Sequence, residues 1–124
     1  MGSKLLIIIS SGDRDKILTA VMYSNSALNR GGFDDVKIIF FGPSEQLVVE
    51  DVEIREKAES LADATECIAC KAISDKQGVS RELEGLGVKV EYVGPSSQGL
   101  LKQDTFARAW YGKKLEVKQV NPRH

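Results

Sequence analysis

Histidine is almost missing from this 124-residue chain, and the one present, His124, holds the last position. A Cys–His or Ser–His dyad within one subunit therefore lacks its base, because imidazole is the side chain that takes and returns a proton near neutrality. Cysteine is scarce too: Cys67 and Cys70 are the only two. A single C-x-x-C pair with no further Cys or His ligands does not make a zinc site, so no metal is expected. The apolar run near the N-terminus, Leu5 to Ile9, is far too short for a bilayer span or a signal-peptide core. Neither charge dominates: 17 Lys and Arg stand against 18 Asp and Glu, a net charge of -1. That balance excludes the usual electrostatic partners, nucleic acid and anionic membrane. Aromatics are only 6% of residues and are not interleaved with cations, so no base-stacking platform is visible. Neither G-x-G-x-x-G nor G-x-x-x-x-G-K-[ST] occurs, and there is no repeat, low-complexity tract or linker. Without an export signal the chain is expected in the cytoplasm with both thiols reduced.

What is there reads as one folded domain over 1–124, with 42% hydrophobic and 28% charged residues. The chain alternates between short apolar runs and helical periodicity. Residues 4–10 form an Ile-rich strand closed by Ser10-Ser11-Gly12-Asp13. From 15 to 30, Ile17, Val21, Ser24 and Leu28 recur at helical spacing and Gly31-Gly32 stops the helix. A second strand, 36–41, ends in Gly42-Pro43, and helical pieces follow over 44–48 and 51–62. In the second piece Ile54, Ala58 and Leu61 share a face. A third strand covers 65–69, helices with a break at Gly78 cover 72–86, and a fourth strand covers 88–93. The pattern predicts a last helix over 100–110 and, from the alternation in 114–120, a partly exposed fifth strand. Runs apolar on both faces suit a parallel sheet covered by helices. The fold class expected is therefore α/β, a three-layer α/β/α sandwich on a mainly parallel sheet of about five strands.

Ligands of open parallel sheets bind beyond the carboxyl ends of the strands, where loops and helix N-termini converge. That rule selects Ser10, Ser11 and Gly12, then Gly42 to Ser44, then Cys70 and Lys71, and finally Gly94, Pro95 and Ser96. Cys70 is the candidate catalytic residue. A thiol at a strand end that opens a helix feels partial positive charge from free backbone N–H groups, and Lys71 adds an ammonium. The opposite reading, a small inert core residue, fits cysteine's preference for burial equally well. Cys67 reads as packing. In a strand the two cysteines lie about 10 Å apart on opposite faces, whereas a disulfide needs about 4.4–6.8 Å between alpha carbons. The carboxylates Glu50, Asp51, Glu53, Glu56 and Glu59 read as a solvated helix face. Phe106, Trp110 and Tyr111 read as core or subunit interface.

The chain resembles the DsrE/DsrF-like family, which includes the TusD-type sulfur relay subunits. The resemblance rests on Leu5-Leu6-Ile7-Ile8-Ile9 with its Ser-Gly loop, and on the strand ending Phe40-Phe41-Gly42-Pro43. It rests further on Ile68-Ala69-Cys70-Lys71 with Gly78-Val79 behind it, and on Gly87-Val88-Lys89-Val90 leading to Tyr92-Val93-Gly94. It extends to about Trp110; the tail from Lys113 departs from it. The resemblance implies a homo-oligomer, trimer or hexamer, or a related hetero-oligomer. It also implies a persulfide carried on the cysteine after the third strand, here Cys70, and passed between a sulfur donor and an acceptor protein. Such a carrier needs no metal or organic cofactor. The alternatives are a module binding a nucleotide-like or anionic small molecule in the same crevice, or a structural oligomer subunit without sulfur chemistry.

Overall fold

The order of elements follows the alternation of apolar runs and helical stripes. The computed structural model describes residues 4–93 in full and the backbone of 105–110. They form β1 (Lys4–Ile9), α1 (Arg14–Arg30), β2 (Asp35–Phe40), α2 (Pro43–Glu50), α3 (Val52–Ala64) and β3 (Glu66–Cys70). Then come α4 (Lys71–Gln77), α5 (Ser80–Gly85), β4 (Lys89–Glu91) and β5 (Thr105–Trp110). Asp13 starts α1 by accepting the N–H groups of Asp15 and Lys16, and Asp51 starts α3 by accepting that of Ile54. These caps satisfy helix-end donors that otherwise lack partners. The break expected at Gly78 is present: its φ of 74° closes α4 in the left-handed region, where glycine carries no side-chain penalty.

Four strands, β1 to β4, make up the sheet whose side chains are described, and all their pairings are parallel. The backbone of β5 adds to the outer side of β1, giving the order β4-β3-β2-β1-β5. Part of the helix predicted over 100–110 is strand instead: Thr105–Trp110 pairs in register with Lys4–Ile9. Backbone pairing beside the most apolar strand overrides a helical spacing that the side chains also permit. The strand expected over 114–120 lies outside the described residues, as does the remainder of the predicted last helix.

The core explains where the helices go. Leu5, Ile7 and Ile9 of β1, Val36, Ile38 and Phe40 of β2, and Cys67 and Ala69 of β3 form one face of the sheet. They pack with Ile17, Ala20 and Val21 of α1, Val48 of α2, Ile54, Ala58 and Leu61 of α3, and Leu83 of α5. The alternate positions Leu6, Ile39 and Ile68 form a separate cluster on the second face. Helices were expected on both faces, yet the described helices contribute core residues to the first face only. The reason is topological. From β1 to β4 each step moves the same way across the sheet, and right-handed crossovers made in one direction put every connecting helix on one side.

Candidate functional site

The carboxyl ends of the strands bring four short segments together. Register aligns Ile9 with Phe40, Phe40 with Ala69, and Cys70 with Glu91. The Phe41 N–H donates to the Ile9 carbonyl at 2.9 Å, so the ladder runs one residue beyond β2. Because strand side chains alternate, Ser10, Phe41, Cys70 and Glu91 form one row across the sheet end, on the face opposite the helices. In that row Phe41 is exposed and Cys70 is 8% exposed. Tyr92, next along the chain from Glu91, is also exposed.

Behind the row stands α2. Gly42 precedes it with φ 71° and ψ −138°, a conformation open almost only to glycine. This turn lets the buried Ser44 hydroxyl donate to the carbonyls of Ile9 at 2.6 Å and Phe41 at 3.1 Å, fastening α2 to the ends of β1 and β2. The next residue, Glu45, is the least expected feature of the site. It is 0% exposed, and its Oε2 accepts the backbone N–H of Cys70 at 3.2 Å. Its Oε1 has no hydrogen-bond partner among the described residues. Burial pushes the Glu45 carboxyl up to about 7, although the backbone N–H groups of Cys70 and Gly42 pull it the other way.

The two cysteines differ as their strand positions require. Both are free thiols. Cys67 is 1% exposed within the helix-side core, and burial, with the Glu66 charge adding to it, pushes its thiol up to about 12. Cys70 ends β3, holds the N-cap position of α4, and makes no capping bond with its side chain. Its thiol is therefore not spent on the helix end.

The other sequence candidates divide between two places. Ser10 falls in the row with Cys70. Ser11 is fully buried, and its hydroxyl accepts the Asp13 N–H at 2.9 Å, which makes it part of the loop's own architecture. Gly12 lies on the helix side, where an ideal Cβ would come within 3.1 Å of the Pro43 ring. There it helps line an open groove of about 520 Å³ with Gly42, Gln46, Glu50 and Gln77; Cys70 is not among the lining residues. Lys71 was expected to favour the thiolate; instead its ammonium pairs with Asp75 at 2.9 Å along α4. The i,i+4 spacing brings those two groups together on the helix surface. Gly94, Pro95 and Ser96 lie outside the described residues.

Sequence reasoning passed over Glu45. The available signal was its place three residues before Val48, on the buried stripe of α2 rather than on the solvated face. The solvated reading holds for Glu50, Glu53, Glu56 and Glu59, which are exposed, but Asp51 is partly buried. Asp51 caps α3 and takes Arg14 at 2.6 Å.

No protein-family model matches the chain, and no curated protein matches it. Solved structures do. A conserved protein of unknown function from Bacteroides thetaiotaomicron is similar with a TM-score of 0.79 and 25% identity, over 86% of this chain and 94% of that one. A protein of unknown function from Methanobacterium thermoautotrophicum is similar with a TM-score of 0.70 and 14% identity, over 86% and 98%. The likeness places the α/β fold among known structures and assigns no activity. Among the described residues no helix is long and apolar enough to cross a membrane.

Proposed function

We propose that this chain is a cytoplasmic sulfur carrier of the DsrE/DsrF-like, TusD-type kind, holding sulfane sulfur on Cys70. The observation that carries the reading is the contrast on β3: a free thiol at the strand end, 8% exposed and outside the apolar core clusters, three residues from one sealed in the core at 1%. In the loading step the Cys70 thiolate attacks the terminal sulfur of a donor persulfide. The new S–S bond forms as the donor's S–S bond breaks, and the donor leaves as a thiolate that takes the proton Cys70 gave up. Transfer repeats the same exchange on an acceptor nucleophile, with no net oxidation and no metal or organic cofactor. In this reading Ser10 and Phe41 border the sulfur on the second face. A third layer completes the α/β/α sandwich, and copies associate as a trimer or hexamer.

The groove beside α2 offers less to an anionic or nucleotide-like ligand. Its described lining includes the Glu50 carboxylate, the partnerless Oε1 of Gln77 and no cation. Mass spectrometry after incubation with a persulfide donor tests the carrier reading. One extra sulfur on Cys70, reduced to background in Cys70→Ser, is the expected result. No added sulfur on Cys70, or addition that persists in Cys70→Ser, overturns it.

A further inference from the structure

We infer that Glu45 is the positioning residue for Cys70: it holds the β3–α4 junction by its backbone and makes the reactivity of the thiol follow the protonation of a buried carboxyl. This deepens the carrier reading and rests on it for the identity of the reacting thiol.

The geometry is that of a clamp. One carboxyl group accepts the backbone N–H of Cys70 at the end of β3, while the neighbouring Ser44 ties the same helix start to the ends of β1 and β2. Glu45 and Ser44, adjacent in the chain, thus hold the strand ends that place Phe41 and Cys70 side by side. The bond falls on the N–H of Cys70, whose extended backbone continues the strand alternation that turns its Cβ to the second face. Glu45 therefore acts on the direction and steadiness of the thiol from the opposite side of the sheet, as a positioning group.

A purely structural clamp calls for a different side chain. Glutamine supplies an acceptor oxygen at the same place without a charge to desolvate. Glu45 is fully buried, belongs to none of the described ion pairs, and leaves one oxygen without a partner. What a carboxyl has and an amide lacks is ionisation, and burial has brought that ionisation to about neutral pH. The ionised group makes a charge-assisted bond to the Cys70 N–H, roughly twice as strong as that of the neutral acid. The junction is then held tightly above neutrality and loosely below it.

Among the described residues no other charged group accepts the Cys70 N–H; Glu91 of β4 stands beside Cys70 in the row on the second face, away from Glu45. On α3, Asp51 and Glu53 are taken by Arg14. On α4, Lys71 and Asp75 pair with each other, and Lys76 is exposed. On α5, Arg81, Glu82 and Glu84 are exposed, as is Glu50 at the far end of α2. Across the β1–α1 loop Asp13 caps α1, and Cys67 on β3 stays protonated through the neutral range. The causes of the Glu45 shift are burial and the two backbone groups alone.

The test is the pH dependence of Cys70 alkylation by iodoacetamide, with the label assigned by mass spectrometry so that Cys67 does not contribute. In the wild type the rate is expected to rise through pH 7 by about three- to tenfold beyond a single thiol ionisation. Glu45→Gln removes that component, and Glu45→Asp, which restores an ionisable carboxyl, brings it back. A second measurement needs no variant: the amide resonances of Cys70 and Gly42 should titrate together with a midpoint near neutrality. Superimposable profiles for wild type and Glu45→Gln, a Cys70 that takes no label at any pH, or amide shifts flat from pH 5.5 to 8.5 each overturn the inference. None of these measurements uses a sulfur donor. Absence of persulfide on a Cys70 that shows the Glu45-dependent profile removes the carrier reading and leaves the positioning role intact.

Discussion

Strand β3 meets a glutamate at each end, and the two are treated in opposite ways. At the amino end Glu66 is partly exposed and lies between Lys37 at 2.7 Å and Lys89 at 2.8 Å, one from each neighbouring strand. Its hydrogen bonds to those two lysines hold its carboxyl below the usual range. At the carboxyl end Glu45 reaches β3 from α2, has no cation, is sealed from water and is pushed up to about 7. The first arrangement ties three strands together in solvent, where charge is inexpensive to keep. The second places an ionisable group where keeping its charge is costly, against the residue carrying the candidate chemistry. Perturbed groups so placed cluster at functional sites.

The comparison can be broken most readily by stability measurements against pH. Glu45 is raised in the fold, so its unfolded form ionises first as pH climbs from about 4.5. Stability is then lost up to about pH 7 and levels off above it. The full cost is on the order of 3 kcal/mol. Urea unfolding of Glu45→Gln should therefore gain on the wild type between pH 5 and pH 8 by up to about that amount. Parallel pH dependence in the two proteins removes the buried charge from the account.

Glu66 has the reverse sign. Its folded value is depressed, so its contribution is present above the unfolded carboxylate range and is lost as pH falls through the folded value. Glu66→Gln should cost roughly 1 kcal/mol or less at pH 7, shrinking in high salt and vanishing at low pH. A cost that is unchanged at low pH means that the packing of the side chain, and not its charge, holds the strands. The smallest effect belongs to Lys71→Ala. With the ammonium on Asp75, the Cys70 alkylation rate should stay within about twofold of wild type. A large fall restores Lys71 to the thiol's surroundings.

Much of the fold was legible because its signals are local. Apolar runs between glycine and proline stops gave β1 to β4 to within a few residues, and the spacing of Ile54, Ala58 and Leu61 gave the buried face of α3. Cys70 was legible as a strand-end thiol because strand length and the helix signal after it meet there. Residues 105–110 were misread because a short apolar stretch fits either period, and only the neighbouring β1 decides between them. Restriction of the described helices to one face depends on the order of strands, which no local pattern encodes. Glu45 stayed hidden for the same reason: in sequence it is an acidic first-turn residue, usually a surface feature. Its burial comes from how α2 lies on α3, α4 and α5.

The place of β1 in the strand order also bears on how the protein is made. Lys4–Ile9 is an interior strand, yet its two neighbours come from opposite parts of the chain, one directly after α1 and the other about a hundred residues beyond β1 itself. During synthesis β2, β3 and β4 can dock in turn through short crossovers, while the far edge of Leu5 to Ile9 stays open until Thr105–Trp110 has emerged. An Ile-rich edge left unpaired for that long is a template for pairing with another chain. Nascent or truncated forms ending before residue 105 are thus the ones in greatest need of a chaperone.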